Sequence, residues 1–190
     1  MERQLYIIAG CNGAGKTTAA YSLLPKVLHV NEFVNADEIA RGLSPFNPES
    51  MAITAGKLML QRIDELIACG TTFAIETTLA TRSYANLVKL ARSRGYSVHI
   101  LFFYLRNVNL AKQRVAERVE HGGHDIPIDV IERRYHAGLR NLHNLFMNEV
   151  DSWVIYDNSK RRRTEIASGG RSIPTAVYDE AIYKIIINHE

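Results

Sequence analysis

Two hydrophobic patterns alternate along the chain. Short, continuous apolar runs are followed by longer stretches in which apolar positions return every three or four residues. The runs QLYIIA, FVNAD (ending at Asp37), TTFAIE (ending at Glu76), SVHILFFYL and SWVIYD predict five strands. The periodic stretches predict helices: KTTAAYSLL, NPESMAITAGKLMLQRIDELIACG, SYANLVKLARSRG, NLAKQRVAERVEHGG and IDVIERRYHAGLRNLHNLFMNEV. Punctuation supports several of these. Asn47 can cap the second helix, Pro48 suits its first turn and Gly70 can end it, while Gly95 stops the third. Asp129 and Glu132 have the spacing of a capping box for the fifth. Residues 158–173 read as a polar, basic tail, and TAVYDEAIYKIII as a closing helix, although its isoleucine run also suits a strand. Strands that alternate with helices predict an α/β fold. The expectation is one domain over residues 1–190, an α/β/α three-layer sandwich around a mostly parallel five-stranded sheet.

Ligands bind such sheets at the carboxyl ends of the strands. The segment after the first strand, GCNGAGKTT, fits G-x-x-x-x-G-K-[ST] at Gly10, Gly15, Lys16 and Thr17. Its glycines let the backbone turn so that N–H groups face phosphate oxygens, and the following helix presents the positive end of its dipole. Lys16 is placed to reach the β- and γ-phosphates, and the Thr17 hydroxyl to sit on Mg²⁺. The expected nucleotide-contacting set is Gly10, Asn12, Gly13, Ala14, Gly15, Lys16, Thr17 and Thr18. ATP and Mg²⁺ are the implied cosubstrate and cofactor.

Asp37 and Glu76 end two other strands, so three segments bring polar residues to one edge. A kinase needs a group to orient and deprotonate its acceptor and cations to cover the moving phosphoryl. Asp37 is the candidate base or acceptor contact, or else it caps the helix beginning EIARG. Glu76 suits a ligand of metal-bound water, an acceptor contact or a plain acid at a strand end. Thr77 and Thr78 offer hydroxyls to an acceptor. Arg114 and Arg118 share a helix face, and Arg133 and Arg134 follow the HGGHDIP break. Two arginine-bearing helices with a hinge between them read as a lid over ATP, approximately residues 114–134, with Arg118 or Arg134 on the phosphates; the alternative is solvated helix faces.

Composition narrows this further. The 190 residues carry a net charge of +3, which suits anionic substrates and is too weak to argue for nucleic acid. The KRRR run at 160–163 reads as a solvated loop or else as a contact to nucleotide or nucleic acid, and no aromatic-interleaved basic face supports nucleic-acid binding. Cys11 and Cys69 do not make a disulfide framework, and no apolar run is long enough to span a membrane, so a cytoplasmic setting is expected. His121 and His124 flank the Gly-Gly break without other ligands at metal spacing.

The segments GCNGAGKTT, VNADEIARGLSP, FAIETTLATRS, RVAERVEHGGHDIPIDVIERRY and YDNS, in this order, resemble the zeta toxin family of P-loop kinases and its chromosomal relatives. The resemblance implies an ATP-dependent phosphotransferase acting on a sugar nucleotide, which in the founding toxins is UDP-N-acetylglucosamine. It implies Asp37 as the aspartate at the acceptor hydroxyl, Glu76 and Thr78 as acceptor contacts, and Arg118 with an arginine at 133–134 on the phosphates. The founding members carry Glu-Gly-Thr-x-Arg. Here Thr77 stands in the glycine's place, and Arg82, taken as a further acceptor contact, comes two residues later. A separate small antitoxin is an expected kind of partner. On the residues alone, a kinase of another small molecule and a nucleotide-dependent switch remain alternatives.

Overall fold

The computed structural model describes residues 2–123 and 125–188. One sheet runs through it, with strand order β2-β3-β1-β4-β5-β6-β7. The strands are β1 (Arg3–Gly10), β2 (Glu32–Val34), β3 (Phe73–Thr77), β4 (Tyr96–Tyr104), β5 (Ser152–Asp157), β6 (Thr164–Gly170) and β7 (Ile173–Val177). The helices are α1 (Lys16–Lys26), α2 (Ala36–Leu43), α3 (Ala52–Cys69), α4 (Tyr84–Ser93), α5 (Val108–Glu120), α6 (Ile128–Asn141) and α7 (Glu180–Asn188). The first five strands in chain order pair in parallel, as the alternating pattern predicts.

β1 lies between β3 and β4, with Ile7 paired to Ile75 on one side and Ile100 on the other. Helices cover both faces there, so Leu5, Ile7, Ile8 and Ala9 are all buried and the run shows no alternation. Each large side chain of this core, such as Phe73 and Phe103, stabilises the fold by about 1.5–3 kcal/mol.

The sheet is wider than expected. Part of the presumed basic tail forms β6 and β7, which add as an antiparallel ribbon beyond β5. Its anchors are few: Ile166 and Ala167 are buried against the core, while β7 is mostly exposed. Ser168-Gly169-Gly170 gives little propensity signal, and Gly170 lies where a Cβ would stand 2.2 Å from the Asp151 carbonyl. The closing helix consequently starts only at Glu180, after Thr175–Val177 has joined β7.

Three local expectations also change. The second strand stops at Val34, so Asp37 sits in the first turn of α2. The third helix opens with a 3-10 turn, Pro48–Met51, that Asn47 caps through Ser50 N–H at 3.4 Å. No capping box forms at α6, because Pro127 occupies the cap position and Glu132 pairs instead with Lys112 of α5 at 2.9 Å.

Candidate active site

The strand ends β1, β3 and β4 stand side by side, with Ala9 opposite Thr77 and Gly10 opposite Phe103. The phosphate loop leaves β1 here. Gly10 has φ 138°, and a Cβ on it would lie 2.3 Å from the Phe103 carbonyl oxygen, so only glycine lets the loop turn this close to β4. Asn158 Nδ2 donates to Ala14 O at 2.7 Å and holds the loop's far side. Gly15, at φ 78°, leads into α1, which begins at Lys16 without a side-chain cap; its first N–H groups remain for an anion.

Lys16 is buried, and its Nζ donates to Cys11 O at 3.1 Å and pairs with Glu76 at 3.5 Å. Thr17 Oγ1 donates to Glu76 at 3.1 and 2.9 Å. A lysine, a hydroxyl and a carboxylate from β1–α1 and β3 are thereby assembled at one point. Cys11 is a bystander: burial pushes its thiol up to about 11, which keeps it protonated and unreactive.

Asn35, not Asp37, caps α2. Its Oδ1 accepts the Asp37 N–H at 2.9 Å. The Asp37 carboxylate is left with no hydrogen bond or ion pair among the described residues. Three connected recesses converge on it. One, of about 440 Å³, lies over Asn12, Gly13, Gly15, Lys16, Thr17 and Thr18. A second, of about 390 Å³, runs between α2 and α6 past Arg118 and Arg134. The third, of about 520 Å³, lies beside Glu76, Thr77, Thr78, Tyr84 and Arg140. Burial, with the nearby Asp37 charge adding to it, raises the Tyr84 phenol and keeps it a neutral donor.

The third recess has a rigid wall. Leu79 is buried with φ 55°, a left-handed conformation that a leucine adopts only when its surroundings impose it. The Thr77 hydroxyl accepts Leu79 N–H at 3.1 Å, and Asn141 Nδ2 donates to Leu79 O at 2.7 Å. Gly138 lets α6 approach: a Cβ there would be 2.6 Å from Thr78 O. α6 is also tied to the core by Tyr135, whose hydroxyl donates to Leu105 O at 2.7 Å.

Most of the expected residues meet at this cleft: Asn12, Lys16, Thr17, Asp37, Glu76, Thr78, Arg118 and Arg134. Arg134 reaches Asn12 Oδ1 at 3.4 Å, linking α6 to the phosphate loop. Arg114 borders the recess over the phosphate loop while it donates to the Asn158 and Ser159 carbonyls at 2.9 and 3.1 Å, bracing the segment behind the loop. Arg82 is exposed and lines none of the three recesses. Of the basic run, Arg163 stacks over Tyr156 at 4.9 Å and Phe103 at 5.4 Å, which gives it a structural role. His124 lies outside the described residues, and among those described no cluster of three metal-ligating side chains occurs. Cys11 and Cys69 are free thiols, as expected.

Sequence reasoning missed Asn35, Gly138, Asn141 and Arg140. Asn35 had a legible signal, an asparagine two residues before an acidic first turn. The other three had none, because their role depends on how α6 crosses the β3–α4 loop.

A model of the zeta toxin family matches residues 2–163, the stretch that carries the whole cleft. An uncharacterized protein of Haemophilus influenzae is 30% identical over 135 residues, covering 71% of this chain and 94% of its own. Solved structures share the fold at low identity. The AvrRxo1-ORF1:AvrRxo1-ORF2 complex with sulphate ions superposes with a TM-score of 0.81 at 16% identity, over all of this chain and 65% of that one. The same complex with ATP gives 0.78 at 16% identity, over all of this chain and 64% of that one. The PezAT toxin–antitoxin system of Streptococcus pneumoniae gives 0.72 at 18% identity, over all of this chain and 80% of that one. No described helix is long and apolar enough to cross a membrane.

Proposed function

The chain belongs to the zeta toxin family, and from that premise we propose that it is a P-loop kinase moving the γ-phosphoryl group of ATP to a hydroxyl of a small acceptor. UDP-N-acetylglucosamine is the acceptor we favour. The observation that carries the reading is the Asp37 carboxylate, unpartnered among the described residues at the junction between the recess over the phosphate loop and the recess beside Thr78. A switch would have no need of a free carboxylate between two recesses. A transferase does, because the acceptor oxygen must attack in line with the leaving group.

In this reading the phosphate loop and the N-terminus of α1 hold the β- and γ-phosphates. Lys16, drawn from Glu76 to the nucleotide, neutralises charge on the γ-phosphoryl group, and Arg118 and Arg134 do so from the α5–α6 side. Asp37 orients the acceptor hydroxyl and takes its proton as the oxygen–phosphorus bond forms. Glu76, Thr78 and Tyr84 line the acceptor side. The Thr17 hydroxyl and Glu76 carboxylate form an oxygen donor pair of the hard type that Mg²⁺ prefers, Glu76 acting directly or through water. When bound there, Mg²⁺ would offset the charge on the β- and γ-oxygens. The segment 114–134 serves as the lid that excludes water. A separate antitoxin would act by blocking this cleft.

The test is ATP turnover with and without acceptor. A sharp rise on adding UDP-N-acetylglucosamine, with a product one phosphoryl group heavier by mass spectrometry, is expected. Stimulation only by other acceptors from a panel of sugar nucleotides and free sugars would replace the acceptor. No stimulation by any of them would sink the kinase reading in favour of a switch.

A further inference from the structure

One hydroxyl at the acceptor recess is committed to the protein rather than to a ligand. Thr77 ends β3 and is buried. Its Oγ1 accepts the Leu79 N–H at 3.1 Å. Its proton is directed at Tyr84: burial raises that phenol, and a hydrogen bond from the Thr77 hydroxyl pulls it part of the way back. Tyr84 in turn donates to the Met59 thioether at 3.9 Å, a weak acceptor that a ligand oxygen can replace. Thr77 thus holds two neighbours of Thr78 at once, one along the chain and one across the recess.

What the hydroxyl holds along the chain is strained. Leu79 is fully buried with φ 55°, and it turns the chain so that Thr78, Ala80 and Thr81 line the recess while Arg82 is carried outside it. Both backbone groups of Leu79 are tied to side chains, the N–H to Thr77 and the carbonyl to Asn141 Nδ2 at 2.7 Å. Asn141 is itself buried. Thr78 is therefore pinned between the end of β3 and a residue fastened from two directions. Without the Thr77 hydroxyl, the Leu79 N–H would be buried with no acceptor, and the left-handed turn would lose a bond that offsets its strain. Glycine, the residue of the founding pattern at this place, has no such hydroxyl to offer.

We infer that Thr77 is a positioning residue for the acceptor. Acting through Leu79 and Tyr84, it fixes how Thr78 and Tyr84 present their hydroxyls to the recess. It does so apart from the nucleotide, since neither Thr77 nor Leu79 borders the recess over the phosphate loop. A wall that is ordered before the acceptor arrives need not be ordered by it, so the effect belongs in the acceptor's KM. The inference rests on the kinase reading for the acceptor, and the hold on the Leu79 turn is measurable without it.

The experiment compares the full chain as wild type, Thr77→Val and Thr77→Ser. Valine keeps the branched shape and removes the hydroxyl, whereas serine keeps the hydroxyl. Amide hydrogen exchange is read first, without ligand. Peptides covering 78–84 should exchange roughly tenfold faster in Thr77→Val, with β1 unchanged, and Thr77→Ser should return close to wild type. Turnover is then measured with UDP-N-acetylglucosamine, or with whichever of a panel of sugar nucleotides and free sugars stimulates wild type. In Thr77→Val the acceptor KM should rise roughly tenfold or more while kcat changes less than about threefold, and Thr77→Ser should recover most of the loss. A non-hydrolysable ATP analogue should bind all three alike. Ile155→Val, a change in the core at β5, lowers the melting temperature and should leave the acceptor KM alone. Unchanged exchange over 78–84 in Thr77→Val overturns the inference whatever turnover shows. Faster exchange with an unchanged acceptor KM also overturns it, because the hydroxyl then serves the fold alone. So does a loss of ATP-analogue affinity in Thr77→Val, which would put its effect on the nucleotide. If no acceptor stimulates wild type, the kinase reading falls, and Thr77 is then a structural residue of the turn and no positioning residue.

Discussion

The Thr17 hydroxyl donates to both oxygens of the Glu76 carboxylate, at 3.1 and 2.9 Å. That contact joins the phosphate loop to the end of β3 and sets two oxygen donors where Mg²⁺ would meet the nucleotide. Glu76→Gln keeps the shape and removes the charge. The Mg²⁺ concentration for half-maximal turnover should rise roughly ten- to a hundredfold, with excess Mg²⁺ restoring part of the rate. A Mg²⁺ titration of turnover checks this. An unchanged midpoint, with a raised KM for the acceptor, would assign Glu76 to the acceptor alone.

Lys16 is buried, but its partners are the Cys11 carbonyl and Glu76, not apolar side chains. Lys16→Ala removes the charge proposed to meet the nucleotide phosphates. Turnover should fall roughly 10²–10³-fold, the scale of losing one preorganised charge donor. Thermal unfolding should shift by only a few degrees. If turnover persists near the wild-type rate, the phosphate-loop assignment fails.

His99 offers a pH prediction remote from the cleft. Burial holds its imidazole below the usual histidine range, against the pull of Asp151 and Glu2, and its ring stacks on Tyr6 at 5.1 Å. A depressed folded-state value means that the unfolded chain takes up the proton more readily. The contribution to stability is therefore fully present at pH well above about 6.5 and is lost as pH falls through that value. Melting curves at pH 7.5 and 5.5 should show a larger acid-side fall in Tm for wild type than for His99→Phe. An identical fall in both would place the acid sensitivity elsewhere.

Much of this cleft was legible in the sequence, for a physical reason. Gly10 to Thr18 act through backbone geometry and local spacing, and Asp37 and Glu76 come at or just past strand ends that hydrophobic runs mark. Parallel pairing then brings those ends together whatever else the chain does. Residues acting across long separations were not legible. Asn141 supports the wall of the recess beside Thr78 only because it meets Leu79, and Arg140 lines that recess only because Gly138 lets α6 settle on Thr78. β6 and β7 were lost because Ser168, Gly169 and Gly170 carry almost no strand propensity, and pairing with β5 overrides it. The capping box at Asp129 failed to a competing ion pair with Lys112.

The lid expectation can now be drawn more narrowly. α6 is anchored through Tyr135 to Leu105 and through Asn141 to Leu79, so its C-terminal half should not move. Amide hydrogen exchange should slow on binding a Mg-ATP analogue from about Arg118 to Arg134 and hardly change beyond Tyr135. Unchanged exchange over 118–134 at saturating nucleotide would return α5 and the N-terminal half of α6 to the status of solvated faces.

Asp37 separates transfer from binding. Asn35 holds the cap of α2, accepting the Asp37 N–H at 2.9 Å, so the Asp37 side chain is not needed to start that helix. Asp37→Asn should then leave the fold and its melting temperature close to wild type. It keeps size and hydrogen bonding but can no longer take a proton. Nucleotide affinity should stay within a few-fold, because in the proposed reading the loop, Lys16 and Thr17 carry it. Phosphoryl transfer should fall by roughly 10²–10⁴, the usual scale of general acid–base catalysis. Two other results have distinct meanings. If nucleotide affinity falls with turnover and excess Mg²⁺ restores both, Asp37 helps to hold the metal. If transfer is retained, Asp37 is not the base, and Glu76, the other carboxylate lining both recesses, becomes the candidate. Measuring ATP-analogue binding and acceptor phosphorylation on this variant at two Mg²⁺ concentrations tells the three apart.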